Sequence, residues 1–444
     1  MDRVFILNNV GNLPEEQLGE SIIQGIVTMV ELQETGDLSY KKRQAIDNYI
    51  RGVRQKEAEN DKAAWEQARK LDTKESYRQY LTDYPNGQFF EDSNERISEL
   101  EKFDADRDII ICQLKENPSS VSSDDIRMYL KQIPTFRRDL VEIGIPDKVI
   151  DKLIENPPLK SFDLGKAPDY IPDGFTEVYF WGVPGSGKTT ALASILNTAE
   201  EYGLKLASSP GLDYMTQLKN IFDDKVPILP KRTDTDVIQY LPFTLKKSNE
   251  KNSRSVSLIE LSGEVFECFY FHNAQKDMPS LQHKNTFETL LKFLDSNNPK
   301  LHFFFIDYEV SKRKDKYNRT QSDYLNAAAS FLESEKGDIL KKTEAIYIVV
   351  TKSDLISFKD SDKSVVINKY LQDNFTSLIS SLQTKCKNKP TINNGNLLGV
   401  TFSLGKVYFD NICSFDNTSA KNIIDILFRR IQPSNKSLLN VFNN

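Results

Sequence analysis

Hydrophobic positions along the chain change their period once. From Leu18 to about Ile50 they recur at helical spacing through Ile22, Ile23, Ile26, Val27, Val30 and Leu32. Thr35-Gly36-Asp37 interrupts that pattern, and 38–50 predicts a second helix. Residues 41–80 are charged and helix-prone, with Trp65, Ala68, Leu71, Tyr77, Tyr80 and Leu81 as the apolar side. Tyr84-Pro85-Asn86-Gly87 predicts a turn and 89–100 a further helix. Prolines then punctuate a polar run at Pro157-Pro158, Pro168 and Pro172-Asp173-Gly174. Beyond it, short apolar runs alternate with amphipathic stretches. Strands are predicted at 178–181, 256–261, 301–307, 345–350 and 398–402. Helices are predicted at 189–201, 287–294, 322–332, 365–382 and 420–430. This alternation predicts an α/β domain with right-handed crossovers, a mostly parallel sheet and ligands at the carboxyl ends of its strands. The expected organisation is an α-helical region over 1–160, a linker over 161–174 and the α/β domain over 175–444. A subdivision of the helical region into 1–105 and 106–160 stays open.

Composition narrows the functional classes. At 444 residues, two or three domains are expected. The hydrophobic share of 39% with 27% charged residues is that of a globular chain, and a net charge of −6 without a dense basic tract speaks against nucleic acid. Cys112, Cys268, Cys386 and Cys413 are scattered, and His272, His283 and His302 have no metal-ligand spacing. The N-terminus carries too short an apolar run for a signal peptide, and no stretch approaches the roughly 18 apolar residues of a membrane span. A cytoplasmic protein is expected.

One stretch carries specific chemistry. The apolar run 177–181 leads into Gly182-Val183-Pro184-Gly185-Ser186-Gly187-Lys188-Thr189-Thr190, and a helical pattern follows at once. Strand, G-x-x-x-x-G-K-T and helix form the phosphate-binding loop in its proper context. The glycines let backbone N–H groups turn inward, and the helix start adds its positive dipole end. Lys188 is expected to reach the β- and γ-phosphates, with the Thr189 hydroxyl on Mg²⁺.

Further motifs fall at the ends of later predicted strands. They are Glu260-Leu261-Ser262-Gly263-Glu264, Phe303-Phe304-Phe305-Ile306-Asp307, Thr351-Lys352-Ser353-Asp354 and Thr401-Phe402-Ser403-Leu404-Gly405-Lys406. Thr351–Asp354 resembles the [N/T]-K-x-D guanine-specificity motif. An Asp354 carboxylate can accept from guanine N1–H and the exocyclic amine together, which adenine does not offer, while the Lys352 stem lies along the base.

Taken together, residues 175–432 resemble a P-loop GTPase of the translation-factor-related class, near its Arf-like branch and bacterial signalling or conflict-system GTPases. The resemblance implies a three-layer P-loop fold, GTP/GDP and Mg²⁺ as ligands, and slow hydrolysis driving a conformational switch. It implies that Glu260 stands at the Asp of the D-x-x-G switch II motif, holding Mg²⁺ through a water, and that Gly263 senses the γ-phosphate. Glu264 then takes the place of the water-orienting Gln, and Ser403 with the Leu404 N–H touches the base. Switch I is expected to supply Thr233, with Thr235 and Thr244 as weaker candidates, and Arg232 or Lys231 could approach the phosphates.

Two other readings stay open. Asp307, after four apolar residues, has the form of an ATPase Walker B acid, and the two glutamates are compatible with a nucleotide-binding scaffold of negligible turnover. The helical region resembles paired-helix adaptors of bacterial signalling proteins through Tyr80-Leu81-x-x-Tyr84-Pro85-x-Gly87. A divergent copy is considered at Tyr129-Leu130-x-x-x-Pro134. A protein effector or sensor is therefore expected on that region, and related GTPases add a nucleotide-dependent homodimer.

Overall fold

The computed structural model describes residues 1–133, 135–155, 167–230, 238–263, 265–309, 313–315, 318–333, 339–356 and 363–433. The chain divides into two compact units, Met1–Ile110 and Ile111–Asn444.

The described first unit is helical, and its helix boundaries follow local capping chemistry. Thr28 and Glu31 form a capping box at the start of Met29–Glu34, and Ser39 accepts from the Lys42 N–H at the start of Tyr40–Leu71. That helix is a single 32-residue element running well past the 38–50 expected for it; it stops at Asp72, whose φ of 46° is left-handed. Ile6, Val10, Leu18, Val27, Leu32, Ile46 and Ile50 bury one cluster. A second cluster surrounds Trp65, which stacks on Phe89 at 5.2 Å. The Tyr84–Gly87 turn is fixed by a distant carboxylate. Buried Asp61 accepts from the Tyr80 hydroxyl (2.5 Å) and from the Gln88 N–H (2.7 Å). A Cβ at position 87 would stand 2.5 Å from that hydroxyl, so the turn takes glycine.

In the second unit, helices Ser123–Gln132, Phe136–Glu142 and Asp147–Glu155 precede the sheet. The strands are β1 (Thr176–Trp181), β2 (Lys205–Leu206), β3 (Ile238–Leu245), β4 (Arg254–Leu261), β5 (Lys300–Asp307), β6 (Thr343–Thr351) and β7 (Leu398–Thr401). A separate antiparallel hairpin pairs β8 (Gly405–Tyr408) with β9 (Ile412–Phe415). The seven-stranded order is β2-β3-β4-β1-β5-β6-β7. β4, β1, β5, β6 and β7 are mutually parallel, and β3 and β2 are antiparallel additions at one edge. The fold is therefore α/β with a mostly parallel sheet.

Both faces of the sheet are buried. Tyr179, Trp181, Phe304, Ile306 and Ile348 pack with helices Val265–Asn273, Leu281–Asp295, Gln321–Phe331 and Lys363–Asn388. Val178, Phe180, Phe303, Phe305 and Val349 pack with Lys188–Thr198, Leu212–Lys219 and Thr418–Arg430. Burial on two faces is why these strands read as continuous apolar runs rather than alternating ones. The exceptions are satisfied internally. Glu177 and Lys300, both fully buried, form an ion pair at 3.1 Å. Trp181 Nε1 donates to His302 Nδ1 (2.9 Å), leaving Nε2–H for Thr343 Oγ1 (3.1 Å). Burial pushes the His302 imidazole down to about 3, so it stays neutral.

Candidate functional site

β1 is the middle strand of the seven, flanked by parallel β4 and β5, so the turn leaving it is bounded by the ends of both neighbours. In that turn Gly185 (φ 77°) and Gly187 (φ 83°) adopt left-handed conformations that only glycine takes at little cost. Gly182 lies against Phe305, where a Cβ would come within 3.0 Å of the Phe305 Cβ. Lys188 opens the following helix and folds back over the turn, Nζ donating to the carbonyls of Gly182 (2.6 Å) and Val183 (3.1 Å). Gly263, just past β4, packs on this turn so closely that any Cβ would overlap the Pro184 ring.

Each flanking strand ends in a buried carboxylate. Glu260, on β4, accepts from the Thr189 hydroxyl through Oε1 and from the Tyr214 hydroxyl through Oε2 (2.8 Å). Burial pushes its carboxyl above the usual range, while the two hydroxyls and the charge of Lys188 pull it down. Asp307, on β5, is paired instead with Lys352 Nζ at 3.1 Å and accepts from the Glu309 N–H at 2.9 Å. Burial raises its carboxyl too, against the opposing Lys352 charge. Thr189 and Glu260 thus bring together two hard oxygen donors of the kind Mg²⁺ takes alongside phosphate and water. The residues present fit that ion. Among the described residues no group of three or more His, Cys, Asp or Glu side chains could hold a metal by itself.

The end of β6 is tied to the same turn. Thr351 Oγ1 donates to the carbonyls of Ser186 (3.0 Å) and Ile306 (3.1 Å), joining the ends of β5 and β6 to the glycine turn through one hydroxyl. Lys352 follows in a left-handed conformation (φ 53°), its ammonium held by Glu309 (2.6 Å) as well as Asp307. Asp354 begins beside it, exposed, with its carboxyl raised by desolvation at the wall of a cavity of about 370 Å³. Gly187, Thr351, Asp354, Ser403 and Leu404 all line this cavity. The Ser403 N–H donates to Ser419 Oγ (3.1 Å) and the Leu404 carbonyl accepts from Asp416 N (2.8 Å), which fixes that loop. A second cavity of about 690 Å³ lies on the other side of Lys352 and Glu309 and reaches Val183, Pro184, Gly185 and Gly263.

The sequence motifs separated by more than 200 residues therefore converge on one end of the sheet. Thr244 lies buried within β3. Thr233, Thr235, Lys231, Arg232 and Glu264 lie outside the described residues, as does Pro134. Two contributors carried no sequence signal. Tyr214 is an apolar-face position of helix Leu212–Lys219, and Asp410, in the β8–β9 turn, lines the smaller cavity. That turn holds Phe409 (φ 50°) and Asp410 (φ 66°) in left-handed conformations, a costly arrangement for a side chain as large as Phe. Ser123 Oγ pins it by donating to the Phe409 carbonyl (2.6 Å), while the Phe409 N–H donates to the Pro118 carbonyl (2.8 Å). No helix among the described residues is long and apolar enough to cross a membrane. No protein-family model matches this chain, and no curated protein sequence matches it.

Proposed function

We propose that the second unit is a Mg²⁺-dependent guanine-nucleotide-binding P-loop module that hydrolyses GTP slowly and acts as a switch. The observation that carries this reading is the convergence of Gly187, Thr351, Asp354, Ser403 and Leu404 on one cavity, continuous with a glycine turn capped by Lys188. In it, the phosphates lie over the turn after β1, where backbone N–H groups and Lys188 meet their charge. Lys188 leaves its two carbonyl partners for the phosphate oxygens. The Asp354 carboxylate accepts from the base N1–H and amino group, and the loop at Ser403 and Leu404 closes the other edge.

Mg²⁺ would be held by Thr189 and Glu260 and would neutralise charge on the β- and γ-phosphates. Glu260, rather than Asp307, is the carboxylate for this role, because Asp307 already has Lys352 as its counter-ion. Gly263, against Pro184, would register the terminal phosphate, and Glu264 and Thr233 would complete the expected switch set. The helical first unit, with exposed Val4, Phe5 and Val30, would carry contacts to a protein effector or sensor.

A competition titration tests the reading. Fluorescent N-methylanthraniloyl-GDP bound with Mg²⁺ is expected to be displaced by GTP and GDP but not by ATP. Asp354→Asn is expected to lower guanine affinity by about 100-fold, the loss of one buried charge-assisted pair, and to raise affinity for xanthine nucleotides. Displacement by ATP alone, or unchanged guanine preference in Asp354→Asn, would refute it.

A further inference from the structure

Glu260 stands where the resemblance calls for the shorter Asp, and a longer carboxylate has more ways to point. Its side chain is nevertheless held at both ends. Oε1 accepts from Thr189 at the start of the P-loop helix, and Oε2 accepts from the Tyr214 hydroxyl at 2.8 Å. Tyr214 is 1% exposed, so its ring is fixed by packing before the hydroxyl reaches Glu260. It packs with Met215 and Leu218 of its own helix against Leu192 and Ile195 of the P-loop helix. The approach of this helix depends on Gly211, where a Cβ would stand 2.7 Å from the Tyr240 carbonyl of β3. The Tyr214 hydroxyl is the donor in this bond, because the Glu260 carboxylate only accepts.

We infer that Tyr214 is a positioning residue for the divalent cation: its hydroxyl fixes one Glu260 oxygen so that the other is presented, with Thr189, to Mg²⁺. This rests on the nucleotide-binding reading above. The tether takes up the freedom added by the extra methylene of Glu, which an unanchored glutamate would lose only on binding the ion. Such outer contacts orient metal ligands and commonly change metal affinity by about 10–100-fold when removed. Tyr214 touches neither phosphate nor base in this arrangement, so its effect belongs to the cation and not to the nucleotide alone.

The test uses the full chain and measures dissociation of N-methylanthraniloyl-GDP as free Mg²⁺ is varied with a chelator buffer. Tyr214→Phe keeps the ring and removes only the donor. It is expected to raise the Mg²⁺ concentration for half-maximal retention by about 10-fold, with dissociation in excess chelator within about twofold of the unaltered protein. Glu260→Gln supplies the second arm: it should lose the Mg²⁺ response, and adding Tyr214→Phe to it should cause no further change in that response. Equal loss of retention with and without Mg²⁺ in Tyr214→Phe would overturn the inference as a packing effect. An unshifted Mg²⁺ response would overturn it directly, as would a Mg²⁺-independent wild type that still binds guanine nucleotide. Failure of the unaltered chain to bind the probe under any condition would instead overturn the nucleotide reading, and this inference with it.

Discussion

The two strands beside β1 end in carboxylates that look interchangeable in sequence and differ in their partners. On one flank Glu260 meets two hydroxyls; on the other Asp307 meets an ammonium. Both are buried and both carboxyls are raised by desolvation. Two hydroxyls stabilise the Glu260 carboxylate by hydrogen bonding, with the Lys188 charge acting on it as well, whereas Asp307 is paired directly with the Lys352 ammonium. The Glu260 flank is therefore suited to receive a cation, and the Asp307 flank is suited to hold Lys352 beside the smaller cavity. An apolar run followed by an acid does not by itself distinguish these two settings; the identity of the acid's partner does.

Substitutions can break this comparison. Glu260→Gln is expected to reduce Mg²⁺-dependent nucleotide retention by about 100-fold or more, while Asp307→Asn leaves that dependence within about threefold. Asp307→Asn should act on stability instead, costing about 1–2 kcal/mol in chemical denaturation because Lys352 keeps Glu309. The opposite assignment of effects would make Asp307 the metal carboxylate and favour the ATPase reading. Gly263→Ala sharpens the picture from the side of the loop. Its Cβ would overlap Pro184, so a loss of about 1–3 kcal/mol in stability is expected, with faster nucleotide release.

The smallest effect lies further down β5. His302 is held near a pKa of about 3 by burial, below its ordinary 6.5. The folded state then binds fewer protons than the unfolded one between those values, so stability rises with pH across that window and is lost as pH falls below 6.5. The slope from this group approaches about 1.4 kcal/mol per pH unit. Denaturation at pH 6.5 and 5.5 should show this loss, and His302→Asn should flatten it. An unchanged slope would mean that His302 is protonated in the folded protein.

β1, β5 and β6 were legible because each is buried on both faces and carries a run of apolar residues. β3 was not. Pro242 interrupts it, and a proline within such a run argues against a central strand. The structure accommodates it because the Pro242 carbonyl accepts from Ala207 N (3.0 Å), so the missing N–H faces the short β2 side and not β4. β8 and β9 escaped notice because their turn is Phe409-Asp410-Asn411, without a glycine to announce positive φ. The residues around 123–155 read as part of the helical region; the structure groups them with the sheet unit, held to it partly by a serine hydroxyl on backbone. The glycine turn before Lys188 and the Thr351–Asp354 stretch were visible as motifs, and the structure brings both to one cavity. The role of Tyr214 is set by tertiary packing, and a tyrosine on an apolar helix face leaves no trace of its partner in the sequence.

The Ser123 bond to the β8–β9 turn spans 286 residues. During synthesis at ~5–20 residues per second, the serine emerges roughly 15–60 s before the loop it anchors. The wall of the smaller cavity is therefore completed late in synthesis, long after the first helices of this unit have emerged. Until then the earlier helices lack the partner that Phe409 and its neighbours provide. Completion of that wall is thereby coupled to arrival of the segment around 405–415, so a truncated nascent chain would carry the glycine turn without the finished cavity beside it.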